Sequence, residues 1–198
     1  YYPPSENLPY ASINRSKETE YSQLSVISKI IKKEREDINI IITTERSLQP
    51  HLIKENIFKD NIFSLIKGSE LEIKELTTKL VLLGYSKENI TSQEGSWSRR
   101  GEIIDIYPVN NELPIRIEYF DNIIEKIREY DPVTQRTLDS INKVEIVQVG
   151  FNLLIRKKLE NLSGKGTFNS DEITTKNNLD RYLGIIEDYP SNLLDYIN

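Results

Sequence analysis

The stretch from Glu94 to Arg136, EGSWSRRGEIIDIYPVNNELPIRIEYFDNIIEKIREYDPVTQR, constrains the fold more than any other part of the chain. Apolar and charged side chains alternate on both sides of a polar turn, VNNELP, at Val109–Pro114. A period of two places successive residues on opposite sides of a strand, so the pattern predicts a half-buried antiparallel pair. Registered on that turn, one face carries Ile103, Tyr107, Ile115, Ile117 and Tyr119. The other carries Arg100, Glu102, Arg116, Glu118 and Phe120. This register turns Asp105 toward the apolar side, where Arg99 or Arg128 would have to pair with it. Phe120 among charges is the anomaly. The plain alternative is a salt-bridged face with one exposed phenylalanine. Arginine and aromatic side chains, however, combine area, planarity and directional donors, and they dominate binding hot spots. Arg100, Arg116 and Phe120 therefore form the candidate working surface.

Composition limits what that surface can be. Hydrophobic residues at 37% and charged residues at 29% fit an ordinary globular chain of 198 residues with real cores. No run approaches the roughly 18 apolar residues of a membrane span, and the N-terminus lacks the build of a signal peptide. The chain has no cysteine, which excludes disulfides and thiolate metal sites and suits a reducing compartment. A net charge of -5 argues against a surface that coats DNA wholesale, since such surfaces are basic. With no methionine and an abrupt YYPPSENLPY start, the chain reads as an internal piece of a larger protein.

Periodicity organises the rest. Residues 1–14 read as an extended lead-in, and Leu24, Ile27 and Ile31 predict a helix over Lys17–Arg35. The β-branched run INIIITT, Ile38–Thr44, predicts a strand buried on both faces of a parallel sheet. A short helical piece from Glu45 and a strand at Ile62–Ile66 follow. Ser69 with Glu72 forms a capping-box pattern ahead of a helix whose Ile73, Leu76, Leu80 and Leu83 share a face until Gly84 stops it. Strands are expected near Asn89–Ser92, in the hairpin above, over Ile123–Tyr130 and at Lys143–Val149. Helical pieces around Leu153–Leu162 and Leu179–Ile186 close the chain. The fold class is α/β plus α+β: residues 1–67 and 150–198 belong to an α/β domain, and 68–149 form an inserted helix-plus-antiparallel-sheet domain.

Chemical motifs are few. SGKGT at Ser163–Thr167 lacks the first glycine of a phosphate loop and follows a helical segment, so it reads as a solvent loop. His51 is the only histidine, which leaves no transition-metal set and no histidine triad. Asp105, Glu118, Asp121 and Glu125 are carboxylates beside Arg100, Arg116 and Arg128, and they read as solvated, charge-matched rows rather than a magnesium or acid–base site.

The block GSWSRRGEIIDIYP with LPIRIEYFDNIIEKIREYDPVTQRT resembles the UvrB-homology module of bacterial transcription-repair coupling factors. That family carries an RGGILDIFP strand, a PVRI-x-FFGDEIESIR strand pair and an FDP-x-x-QRS ending. LPYASIN, IIITTERSL, GSELEIKELTTKLVLLGY and LLDYI extend the likeness along the chain. UvrB itself fits less well, because Ser98 stands at the first position of its Arg-x-Arg and its ending lacks the Gln135–Arg136 pair. UvrB also carries an aromatic DNA-clamping hairpin after a YY-x-PEAY-like segment, whereas here Tyr10 leads almost directly into the Lys17–Arg35 helix. The resemblance implies a module that binds UvrA, with contacts at Arg100, Arg116 and Phe120, a further candidate at Lys87, and Trp97 as packing. It implies that the flanking segments belong to a degenerate helicase-like domain, that this piece has no catalysis or cofactor of its own, and that the protein works in the bacterial cytoplasm. The ATP- and magnesium-dependent motor that engages double-stranded DNA, and the RNA polymerase contact, would lie downstream. Two positions depart from the pattern: Asp121-Asn122 replaces the turn glycine and its aspartate, and Gly101-Glu102 replaces a glycine pair. The alternatives are a piece of a UvrB-like excision repair subunit and a module that binds the DNA backbone through the same arginines.

Overall fold

The computed structural model describes residues 1–4, 16–32, 40–151, 153, 155 and 190–197. It divides into a first unit, Tyr1–Asn61 with Gly150–Asn198, and a second, Ile62–Val149.

In the first unit, helix α1 (Lys17–Lys32) buries Tyr21, Leu24 and Ile27 along the stripe that the sequence spacing predicts. A short 3-10 helix, Glu45–Leu48, and helix α2 (Glu55–Lys59) follow. Phe58 of α2 meets the rings of Phe151 and Tyr196 at centroid separations of 6.5 and 6.3 Å. The Tyr196 hydroxyl donates to the Ile53 carbonyl at 2.6 Å, which satisfies a buried polar group in this aromatic cluster. Tyr196 sits on a second 3-10 helix, Leu193–Tyr196, which Asn192 and Asp195 cap reciprocally. His51 is structural: its Nδ1 faces the Gln49 carbonyl at 2.6 Å, so its Nε2 accepts from the Tyr2 hydroxyl at 2.9 Å.

The run Ile38–Thr44 does not form the doubly buried strand expected of it over its described part. Residues 40–44 carry no strand ladder, and Ile40 and Ile42 are exposed. Tyr2 meets this segment: its N–H donates to the Ile42 carbonyl at 2.9 Å and its carbonyl accepts from the Thr43 hydroxyl at 3.0 Å. An apolar run becomes a buried strand only when neighbouring strands flank it, and the described residues supply none here. The LPYASIN segment, SGKGT and the helical pieces expected around Leu153–Leu162 and Leu179–Ile186 lie outside the described residues, apart from isolated positions.

The second unit contains strands β1 (Phe63–Ile66), β2 (Ser86–Lys87), β3 (Ser96–Arg100), β4 (Ile103–Tyr107), β5 (Ile115–Phe120), β6 (Ile123–Tyr130), β7 (Thr137–Ile141) and β8 (Lys143–Ile146). β2 to β7 form one sheet in chain order, antiparallel except for the parallel β2–β3 pair, and β1 pairs with β8 in a second, two-stranded sheet. Helix α3 (Ile73–Leu82) lays Ile73, Leu76 and Leu80 on a core that contains Trp97, Ile104, Ile106, Ile115, Ile117, Tyr119, Ile124 and Ile127. Leu65, Val144 and Ile146 bring the small sheet into the same core. That ladder places Phe63–Ile66 with the second unit, so the unit begins ahead of the boundary expected at residue 68.

Several local expectations change for physical reasons. The β4 register is offset by one residue: Ile104 and Ile106 point into the core, whereas Ile103, Asp105 and Tyr107 stand on the other face. IIDIY is apolar at nearly every position, so alternation alone is ambiguous there. Asp105 decides it, because a carboxylate turned into the α3 core would cost several kcal/mol. The capping box also fails. Ser69 Oγ donates to the Ile66 carbonyl, and α3 starts at Ile73 after Glu72, which makes no side-chain cap. Residues 68–71 run instead beside the start of β6, where Leu71 N–H donates to the Asn122 carbonyl at 2.8 Å. Asn89–Ser92 forms a loop rather than a strand, and β7, too polar to show an alternating pattern, was not anticipated.

The stop after α3 follows its expected logic. Gly84 takes φ 86°, Tyr85 N–H reaches back to the Leu80 carbonyl at 2.9 Å and Gly84 N–H to Val81 at 3.0 Å. These bonds satisfy carbonyls that the helix end leaves open, while Tyr85 and Leu80 meet in the core. Replacing Gly84 with alanine forces a Cβ into the left-handed region, and the expected cost is about 1–2 kcal/mol of stability by urea denaturation. An unchanged midpoint would show that the glycine is dispensable.

Candidate functional site

The sheet has two faces of different character. Arg100, Ile103, Glu118 and Lys126 form one cross-strand row on the face away from α3, and Ser98, Asp105, Arg116 and Arg128 form the next. Phe120 continues this face along β5 past Glu118, so the register sets Arg100, Arg116 and Phe120 on one side of the sheet, as the alternation argument expects.

They are not equivalent. Asp105 is buried, and two guanidinium groups share its carboxylate. Arg116 binds it side-on, Nε to Oδ1 at 2.7 Å and Nη2 to Oδ2 at 2.9 Å, and Arg100 Nη2 reaches Oδ2 at 3.0 Å. Asp105 thus pairs with neither Arg99 nor Arg128: Arg99 Nε donates to the Gly101 carbonyl, and Arg128 Nη1 donates to Glu118 at 3.1 Å. The Arg116 side chain is only 14% exposed. It lies 4.6 Å over the Tyr130 ring, and its Nη2 and Nη1 donate to the side-chain and backbone oxygens of Gln135 at 3.3 and 3.5 Å. The bond to Asp105 and the Asp105 charge raise the Arg116 pKa against the opposing effect of burial, so this group stays cationic. Arg100, by contrast, has 58% of its side chain in solvent and retains donors that Asp105 does not use.

The local sequence explains this clamp. In Asp131–Arg136, DPVTQR, the Asp131 carboxylate accepts from the Val133 and Thr134 N–H groups at 3.0 and 2.6 Å and from the Thr134 hydroxyl at 3.0 Å. These bonds, that of the Thr134 amide foremost, lower the Asp131 pKa. The turn throws Gln135 to φ 59°, in the left-handed region, with its carbonyl and its amide oxygen both at Arg116. On the other side, the loop 88–95 brings Thr91 over Ser98 and the Asp105 carbonyl, at 3.0 and 3.3 Å, and the Thr91 carbonyl accepts from Tyr130 at 3.2 Å. Ser98, Asp105, Thr91 and Tyr130 are thereby covered. Sequence reasoning missed Gln135 and Tyr130, although the Gln135–Arg136 pair was a signal.

Phe120 lies beyond this covered patch, 68% exposed, at the end of the β5–β6 hairpin. The turn is Asp121-Asn122, and Asp121 holds the positive φ of 52° that the missing glycine would have supplied. Lys87 stands apart: β2 pairs it with Trp97, whose ring enters the α3 core, so Lys87 is on the opposite side of the sheet. Its ammonium lies 5.5 Å from the Trp97 ring centroid. Among the described residues there is no His, Cys, Asp or Glu cluster able to hold a metal ion, and no helix long and apolar enough to cross a membrane.

Residues 63–149 match the family model of the UvrB interaction domain. The chain is 36% identical over 110 residues to a transcription-repair-coupling factor of Staphylococcus epidermidis, an alignment that covers 56% of this chain and 9% of that protein. It is 38% identical over 107 residues to one from Staphylococcus haemolyticus (54% and 9%), and 33% identical over 123 residues to one from Staphylococcus aureus (62% and 10%). The matched stretch thus spans about a tenth of the length of these relatives.

The geometry sets different expectations for the charged residues. Asp105→Ala leaves the enclosed Arg116 uncompensated and should cost about 3 kcal/mol or more of unfolding free energy. Arg100→Ala removes an exposed guanidinium and leaves Asp105 still held by Arg116, so it should cost less than about 1 kcal/mol. Equal losses in urea titrations would contradict the division between the two arginines.

A second expectation concerns alkali. Burial raises the Tyr119 phenol to about 12 from its ordinary 10.0, and burial followed by the Asp105 charge raises that of Tyr130. Above pH 10 the unfolded chain releases protons that the folded chain keeps. Stability is therefore fully present below that pH and is lost as pH rises toward the folded values. The urea midpoint should fall between pH 9 and about 11.5, and a Tyr119→Phe/Tyr130→Phe variant should lose less over the same range. An equal fall in the variant would assign the effect to other groups.

Proposed function

We propose that this chain, whose residues 63–149 form a domain of the UvrB interaction family, is a recruitment module that docks the excision repair protein UvrA. The observation that carries the reading is the sheet face itself: an exposed guanidinium and an exposed phenyl ring on one rigid surface, backed by a covered salt-bridge network. Arg100 offers its free donors to an acidic group on the partner, and Phe120 enters an apolar pocket. Arg116 belongs to the same surface, but its role is to hold Asp105, and through it Arg100, in place. Lys87, on the opposite side of the sheet, is at most a peripheral contact.

The aligned relatives are named transcription-repair-coupling factors, and in such a setting the module links repair to transcription. The larger protein would act on stalled RNA polymerase as an ATP-driven translocase on DNA, and this stretch would bring the damage-recognition protein to the same place. The module itself contributes binding and no chemistry. First-unit segments in this reading belong to a helicase-like domain without a phosphate loop.

DNA-backbone binding is the reading that most needs separating from this one, because it uses the same arginines. It requires a steep loss of affinity with salt. The shared Asp105 and the pairing of Glu118 with Arg128 and Lys126 cancel much of the positive charge on this face, which favours a protein partner. In calorimetric titration with purified UvrA, Arg100→Ala and Phe120→Ala should each weaken binding by about 2 kcal/mol, near 30-fold, with folding unchanged. Unaltered affinity in both variants, or tighter binding to a DNA duplex than to UvrA at physiological salt, would overturn the assignment.

A further inference from the structure

Ile123 is the cross-strand partner of Phe120 at the end of the β5–β6 hairpin, and it is 45% exposed. Direct partners in an antiparallel ladder project to the same side with Cβ atoms about 5 Å apart. An isoleucine and a phenylalanine are therefore left side by side in solvent, on the face that carries Arg100. Single exposed apolar side chains are ordinary, but an adjacent pair at a hairpin tip is an unmet apolar surface.

The backbone beneath this pair is fixed from both sides. Tyr119 N–H donates to the Glu102 carbonyl at 3.0 Å on the β4 side. On the other side, Gly68 N–H donates to the Ile124 carbonyl at 2.8 Å, Ile124 N–H to Ser69 at 3.0 Å and Leu71 N–H to Asn122 at 2.8 Å, with Glu70 bridging Ile123. Between these braces the turn is held at Asp121, φ 52°. The segment that broke the expected capping box is thus the strut of this hairpin. A surface already ordered in the free protein loses less entropy when it is covered.

We infer that Ile123 is a second apolar contact of the docking surface, forming with Phe120 one ridge that seats in a single apolar concavity of the partner. This rests on the proposed UvrA-docking role of the face and adds the shape of the partner's site. That site is an apolar depression wide enough for both side chains, bordered by a carboxylate that meets the free donors of Arg100. Charge complementarity selects an acidic rim, because the exposed guanidinium of Arg100 gives Asp105 only one of its nitrogens and keeps its other donors for a partner.

The test titrates purified UvrA with the 198-residue chain carrying Ile123→Ala, Phe120→Ala, both changes, Ile123→Leu, or Leu138→Ala. Leu138 is an exposed residue on β7 and serves as the control for nonspecific loss of apolar area. Ile123→Ala should weaken binding by about tenfold, Ile123→Leu should restore most of it, and Leu138→Ala should change nothing. The double variant should lose less than the product of the single losses, because neighbours that share one pocket are coupled. Thermal midpoints will confirm that each variant folds. If Phe120→Ala loses affinity while Ile123→Ala binds like the parent, the ridge is wrong and the docking role stands. If the parent chain binds UvrA and neither substitution matters, the ridge is wrong and the Arg100→Ala variant decides the docking face; if the parent chain does not bind UvrA, the ridge and the docking role fall together.

Discussion

A single buried carboxylate organises the second unit. Asp105 sits in one of the two central strands of a mostly antiparallel sheet, and the guanidinium groups of Arg116 and Arg100 converge on it from the strands on either side. Its position leaves one economical register for β4, with Ile104 and Ile106 in the α3 core and the carboxylate under its arginines. Shifting the strand by one residue would exchange every side chain between faces, bury the charge in hydrocarbon and strand two cations. The DPVTQR turn then closes the network from a distance in sequence, because Gln135 reaches Arg116 only if the turn holds its left-handed conformation. Register, turn and salt bridge are three expressions of one electrostatic requirement.

Legibility in the sequence followed how local each determinant was. The β5 strand, the β6 strand, the buried stripe of α3 and its stop at Gly84 could be read because each depends on neighbours within a few residues. The β4 faces were misread because the turn was used to fix register, whereas the decisive partner of Asp105 lies eleven residues away in the facing strand. Ser69 and Glu72 satisfied the letter of a capping box. Pairing of residues 68–71 with the β6 end is a tertiary contact, and it outweighed a local preference worth about 1 kcal/mol. The described part of the β-branched run, residues 40–44, shows the opposite failure: strong local propensity without strands among the described residues to pair against. For the candidate site, alternation placed the three side chains on one face. It could not rank them, since the enclosure of Arg116 comes from Tyr130, Gln135 and the loop 88–95.

That ranking changes what each residue contributes. An arginine that stacks on an aromatic ring and spends its donors on internal acceptors is part of the scaffold, however prominent it looks in a strand pattern. An arginine that holds the same carboxylate with one nitrogen remains available to a partner. The resemblance of the chain to coupling factors points at both residues alike; the geometry separates them. Lys87 illustrates the converse, since sequence likeness drew it toward the trio while the parallel β2–β3 ladder carries it to the other side of the sheet.

The two faces of the sheet also divide two physical tasks that conflict if placed together. Burial of isoleucines against α3 supplies cohesion and tolerates no charge. In the proposed docking role the opposite face must stay partly bare to be recognised, and a bare sheet face invites nonspecific association. Here the covered network of Thr91, Ser98, Asp105, Arg116 and Tyr130 closes one part of that face, and the charged row from Arg100 to Lys126 borders what remains. At the hairpin tip two exposed apolar side chains, Phe120 and Ile123, stand side by side, braced by the 68–71 strut. In the proposed docking role, a partner gains apolar burial only by approaching in the orientation that also satisfies Arg100, so the charged row turns a generic hydrophobic contact into a directional one.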